Sequence, residues 1–79
     1  MSSVKNLPGT FHCWSRFGVA VSIGLYHARY QVAPQIVAVN TDHVLDNSDV
    51  ATLNMHKVRL VHVDSVLPGD VYVGPIPGR

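Results

Sequence analysis

Five histidines, one cysteine and five aspartates are the side chains of this chain best suited to bond chemistry or ion binding. His62 and Asp64 lie two apart, so on a strand they would share a face within about 7 Å and offer two metal ligands or an oriented imidazole. A third ligand would have to come from His12, Cys13, His27 or His43 through folding. His56 and His62 share strand parity but would stand roughly 20 Å apart, too far for one ion. No C-x-x-C, H-E-x-x-H or H-x-H spacing occurs, and no metal site is expected. Asp42, Asp46 and Asp49 surround Asn47 and Ser48, but the alternating oxygen ligands, glycine and closing glutamate of a calcium loop are missing. That segment reads as a solvated loop with capping residues.

Nucleophilic chemistry has equally little support. Ser15, Ser22, Ser65 and Cys13 stand in no G-x-S-x-G elbow, and the glycines occur singly or beside proline rather than in a phosphate-binding loop. Cys13, flanked by His12 and Trp14, reads as a small apolar residue. No enzyme activity and no cofactor are expected.

The aromatic residues carry a sharper signal. Phe11, Trp14, Phe17, Tyr26 and Tyr30 fall in the first thirty residues together with Arg16 and Arg29. Rings interleaved with arginine suit either a protein hot spot or base stacking. Trp14, Arg16, Tyr26, Arg29 and Tyr30 are the expected partner-binding residues, with Phe11 and Phe17 assigned to the core. The first 41 residues hold no acid, whereas all five aspartates follow. Three basic residues in that half mark a depletion of acid rather than a basic nucleic-acid-binding stripe.

These residues must be positioned by one small domain of 79 residues, 47% hydrophobic and 14% charged. A chain of this size buries only about 60–65% of its unfolded surface, which favours added stability from a partner or from self-association. Valine dominates and glutamate is absent, a profile that favours β structure over a helical bundle. No secretory signal is recognisable. The most apolar run, between Arg16 and Arg29, is shorter than the ~20 residues that cross a bilayer. A cytoplasmic location, or incorporation in a viral or other intracellular assembly, is expected.

The strongest structural pattern spans His56 to Ile76. Val58, Leu60, Val61, Val63 and Val66 form one arm, Val71, Val73 and Ile76 the other, and Leu67-Pro68-Gly69-Asp70 joins them. Proline suits the second position of a type II turn and glycine the third, so Pro68 and Gly69 are expected to make the turn of a β-hairpin. The parity change at Leu60–Val61 implies two covered faces or a bulge. Upstream, a strand begins over Thr10 to Trp14. Phe17 to Val32 fits either a helix, which aligns Trp14, Phe17, Val21, Leu25 and Ala28, or a strand alternating through Val19, Val21, Ile23 and Leu25. Gly18 and Gly24 and the β-branched residues select the strand. Gln35 to Val39 is a further strand. Asn40 to Asp49 is a loop, and Ser48 caps a short helix through Asn54 with Val50 and Leu53 inward. An ordered lead-in over 1–9 and a Pro/Gly tail over 74–79 complete the domain.

The expected fold is therefore mainly β or α+β. It is a small curled antiparallel sheet or partly open barrel of about four to five strands, with one short helix near residues 48–54. The expected function is non-enzymatic: an accessory, structural or inhibitory subunit that binds another protein or copies of itself, with the size and make-up of many viral proteins. A small nucleic-acid-binding β-barrel is the first alternative, and a His/Cys metal-binding module the second.

Overall fold

The computed structural model describes residue 7 and residues 9–76; expectations for residues 1–6, 8 and 77–79 of the lead-in and tail lie outside the described residues. Six elements follow in order: β1 (His12–Ser15), α1 (Gly18–Tyr30), β2 (Ile36–Val39), α2 (Asn47–Met55), β3 (Arg59–His62) and β4 (Asp70–Gly74). The strands form one sheet in the order β1-β4-β2-β3. β4 runs antiparallel to both neighbours, and β2 and β3 are parallel. Two βαβ units therefore follow one another, the first split by β4, in a roughly ferredoxin-like α+β arrangement. The sheet is mixed and is neither closed nor curled, which overturns the expected curled antiparallel sheet or partly open barrel.

The first correction is α1. Its buried residues are Val19, Ser22, Ile23 and Tyr26, spaced three and four apart as one helical face requires. The apparent alternation divides differently: Val19 and Ile23 are buried, while Val21 and Leu25 face outward. Of the glycines that favoured a strand, Gly18 stands at the first position of the helix with φ +78°, outside the helical interior, while Gly24 keeps its interior cost of about 1 kcal/mol, which the burial of Val19, Ile23 and Tyr26 outweighs. Ser22, the one polar residue on the buried face, satisfies itself by donating to Gly18 O at 2.6 Å.

The second correction is the hairpin. β3 and β4 do not pair, because β2 lies between them. The connection after β3 passes over the end of β2: Val63 N donates to Val39 O at 2.8 Å, the Asn40 side-chain amide to Val66 O at 2.8 Å, and Val66 is buried. The Leu67–Asp70 turn still forms, with Asp70 N donating to Leu67 O at 3.1 Å and Gly69 at φ +90°. It orients the entry into β4 rather than a return along β3. The parity change resolves as two covered faces with no need of a bulge. Val58 and Leu60 pack on the helix side with Val37, Val39, Val71 and Val73, whereas Val61 and Val63 join Phe11, Ala38 and Val66 on the other. Each fully buried valine or isoleucine contributes about 1.5–3 kcal/mol relative to exposure, so the helix-side cluster dominates stability.

α2 matches the expected short helix, but its cap is Asp46 rather than Ser48, and Val50 is exposed while Leu53 is buried. Asp46 Oδ1 accepts from Asp49 N at 2.8 Å, and Asp49 Oδ2 accepts from Asp46 N at 3.3 Å, which is a reciprocal capping box. The other oxygen of Asp49 reaches α1, where Oδ1 accepts from Ala20 N at 3.0 Å. The N-cap of α1, Phe17, makes no side-chain cap bond, so Asp49 supplies from α2 the acceptor that α1 lacks locally.

Asp49→Ala is expected to lower stability by about 2 kcal/mol, roughly 10 °C in Tm, because both helix starts lose an acceptor. Ser48→Ala should change Tm by little; thermal melts of the pair check which residue caps. Gly69→Val is expected to cost about 1–2 kcal/mol through its positive φ alone, since a Cβ there meets nothing within 4 Å. An unchanged denaturation midpoint for this variant would show that the turn relaxes to another type.

Candidate functional site

Along β1 the side chains alternate, so His12 and Trp14 point to the helix side and Cys13 and Ser15 to the other face. His12 and Trp14 stack with ring centroids 3.9 Å apart and planes 8° from parallel. Behind them His12 Nδ1 and the Tyr30 hydroxyl are hydrogen-bonded at 3.0 Å, and Tyr30 packs on Tyr26 at 4.7 Å between centroids. Tyr26 is buried and donates its hydroxyl to Pro75 O at 2.8 Å. The Arg29 guanidinium lies 5.7 Å from the centre of the Tyr30 ring, within cation–π range.

Trp14 and His12 form one wall of an open groove of ≈ 520 Å³, and Leu25, Ala28 and Arg29 of α1 form the other. Beyond it the outer face of α1 continues the apolar surface, with Phe17 54%, Val21 52% and Leu25 37% exposed. Phe17, Val21, Leu25 and Ala28 of the helical pattern are thus turned to solvent rather than to the core, while Trp14 lies on β1, half-buried against the core. Its neighbour β1 is an edge strand that, among the described residues, pairs only with β4. Large apolar side chains thus cluster beside a sheet edge that is unpaired among the described residues.

The expected anchors separate in this geometry. Trp14 and Arg29 line the groove, Tyr30 supports it from below, and Tyr26 belongs to the core. Arg16 lies past the end of β1 in a left-handed conformation, φ +70°, with its backbone N donating to Gly69 O at 3.0 Å. Phe11 is core, packed against Gly74, but Phe17, also assigned to the core, is on the exposed stripe. His12 was not among the expected anchors; its position two residues from Trp14 in a strand was the available signal. Pro68 and Gly69 line a smaller pocket of ≈ 170 Å³ with Asn40, Asp42 and His43. There the Asn40 side chain is already committed to Val66 O and Asp42 N.

Burial, and then the Arg29 charge, hold the His12 pKa below the usual imidazole value. The groove therefore presents a neutral imidazole and one guanidinium near neutral pH. Burial pushes the Cys13 thiol upward, so this residue is poorly suited to act as a nucleophilic thiolate. His56 is not on a strand with His62, as the spacing suggested, but caps the C-terminus of α2. Among the described residues no group of three or more His, Cys, Asp or Glu side chains converges as a metal site. No helix among them is long and apolar enough to cross a membrane. Comparisons with protein-family models, curated proteins and solved structures found no match.

In an NMR titration the His12 ring is expected to protonate with a midpoint below the ordinary ~6.5. Arg29→Ala should raise that midpoint without restoring it fully, because burial is the larger cause. A depressed folded-state pKa contributes stability above the unfolded value that is lost as pH falls through the folded one. Stability should therefore decline on acidification below about pH 6.5. This component should vanish in His12→Phe.

Proposed function

We propose that the chain is a non-enzymatic protein-interaction module, a small accessory or inhibitory subunit that docks through the β1 edge and the outer face of α1. The observation that carries this reading is the groove itself, open to solvent, with Trp14 on one wall and Leu25 and Ala28 on the other, charged only by Arg29 and set beside a strand edge unpaired among the described residues. An edge strand accepts an extended segment of another chain through backbone hydrogen bonds, while adjacent pockets select its side chains. The occupant best matched to this site is an extended segment of a partner protein with an apolar side chain beside Trp14 and Leu25 and a carboxylate on Arg29. A second copy of the chain is the competing occupant, and the state of association decides between the two.

Trp14 is the only tryptophan, so its emission reports occupation of the groove directly. Peptides selected from a random library against the full chain are expected to carry an acidic residue next to an aliphatic or aromatic one and to shift this emission. Arg29→Ala and Leu25→Asp should each weaken the selected peptides by about 30-fold or more, while Lys57→Ala and Arg59→Ala change affinity less than about fivefold. Binding that is indifferent to Leu25→Asp and Arg29→Ala would reject the site. A preference for single-stranded nucleic acid, with affinity falling steeply with salt, would favour the nucleic-acid-binding alternative. Concentration-dependent sedimentation abolished by Leu25→Asp would assign the face to self-association instead.

A further inference from the structure

The two helices pack in parallel register, and their two ends are treated differently. Ala20 of α1 meets Asp49 of α2 at one end. Seven residues further along each helix, His27 meets His56, with ring centroids 6.2 Å apart and planes tilted by 39°. His27 is in the last turn of α1, and His56 is the C-cap of α2. The carboxylate thus sits where two helix N-termini converge, and two imidazoles sit where two C-termini converge. The aligned peptide dipoles give each helix C-terminus about half a negative charge, and parallel packing brings both poles to the same place. A cation there is favoured by both helices, as the Asp49 carboxylate is at the opposite end.

We infer that His27 and His56 form a two-imidazole site for a borderline divalent transition cation of the zinc, nickel or copper type. Two imidazoles sharing one tetrahedral ion at ~2.0–2.1 Å per nitrogen hold their ring centroids roughly 5 Å apart, so the observed separation closes with small side-chain rotations. His27 is exposed and His56 half-buried, so both rings are reachable from solvent, with water to complete the coordination sphere. Imidazole nitrogen selects these ions over magnesium and calcium, which require oxygen ligands. Among the described residues no third protein ligand of the His, Cys, Asp or Glu kind joins the pair. The site is therefore an exchangeable clip between helix ends, weaker than a closed four-ligand structural centre. His12 is not a competitor of equal quality, since its Nδ1 is bonded to Tyr30 and its ring is stacked on Trp14. The site is separate from the groove and holds or fails independently of the docking function.

The test uses the full chain carrying Cys13→Ser, so that no thiol competes, stripped of metal and titrated with zinc chloride alone at pH 7.5. Zinc at a hundred times its dissociation constant is expected to raise Tm by roughly 10–20 °C, because the ion binds the folded helix pair and not the separated ends. One zinc per chain should bind, and the ring-proton signals of His27 and His56 should shift together. His27→Ala and His56→Ala should each weaken zinc binding at least about tenfold while leaving the metal-free Tm nearly unchanged, whereas His43→Ala and His62→Ala bind zinc as the parent does. The inference is overturned if zinc leaves Tm unchanged, if magnesium stabilises equally, if the stabilisation survives both His27→Ala and His56→Ala, or if one zinc binds per two chains.

Discussion

The Asp49 carboxylate is nearly buried at the point where two helices begin, and it is divided between them. One oxygen closes the capping box of α2, and the other accepts the backbone N–H of Ala20 in the first turn of α1. This bond fixes the lengthwise register of α1 on α2, while the contacts of Val19, Ile23 and Tyr26 with the sheet fix its rotation. Register and rotation together decide which residues remain outside: Phe17, Val21 and Leu25 along one flank, and His27 at the end beside His56. Both surface features therefore depend on one side chain that touches neither.

Only the locally signalled pieces of the fold were legible. The strands expected over Thr10–Trp14 and Gln35–Val39 and the short helix near 48–54 form with bounds shifted by one or two residues, and the helix is capped by Asp46 rather than Ser48. The Leu67–Asp70 turn was readable for the same reason, since Pro68 and Gly69 impose their torsions whatever the partner strand. What the turn leads to was not readable. Val71 and Val73 would pair equally well with any valine-rich neighbour, and the choice of β1 and β2 over β3 is made by crossover geometry across the whole domain. α1 was obscured differently. A helix with apolar residues on both its buried and its exposed faces loses the amphipathic contrast that distinguishes it from a strand. The exposed apolar stripe thus disguised the element carrying it. The acceptor that compensates a weak local cap, Asp49, lies 29 residues downstream of Ala20, beyond any local pattern.

The groove is built on regular elements rather than on a loop. His12 is held by the stack with Trp14 and the bond to Tyr30, and Tyr30 is backed by Tyr26, whose hydroxyl is fixed to Pro75. A ligand entering between Trp14 and Leu25 meets a wall whose side-chain freedom has already been lost on folding. Less entropy remains to be lost on binding, and more of the contact energy appears as affinity. The lowered pKa of His12 keeps a second positive charge from forming beside Arg29 near neutral pH.

β4 comes after the other five elements in the chain yet occupies an interior position of the sheet, hydrogen-bonded to β1 on one side and β2 on the other. Of the ladders, only the one between β2 and β3 can close without it. As the chain leaves a ribosome, α1 therefore emerges long before the strand it packs against exists, with Val19, Ile23 and Tyr26 as exposed as Phe17, Val21 and Leu25. During that interval the helix presents apolar residues around its whole circumference. β1, meanwhile, has no partner on either edge. Threading the final strand into a gap held open by two others is what converts this adhesive intermediate into a domain with one apolar flank. The sheet is therefore completed only once β4 is available, and until then the chain gains most from a chaperone that covers α1.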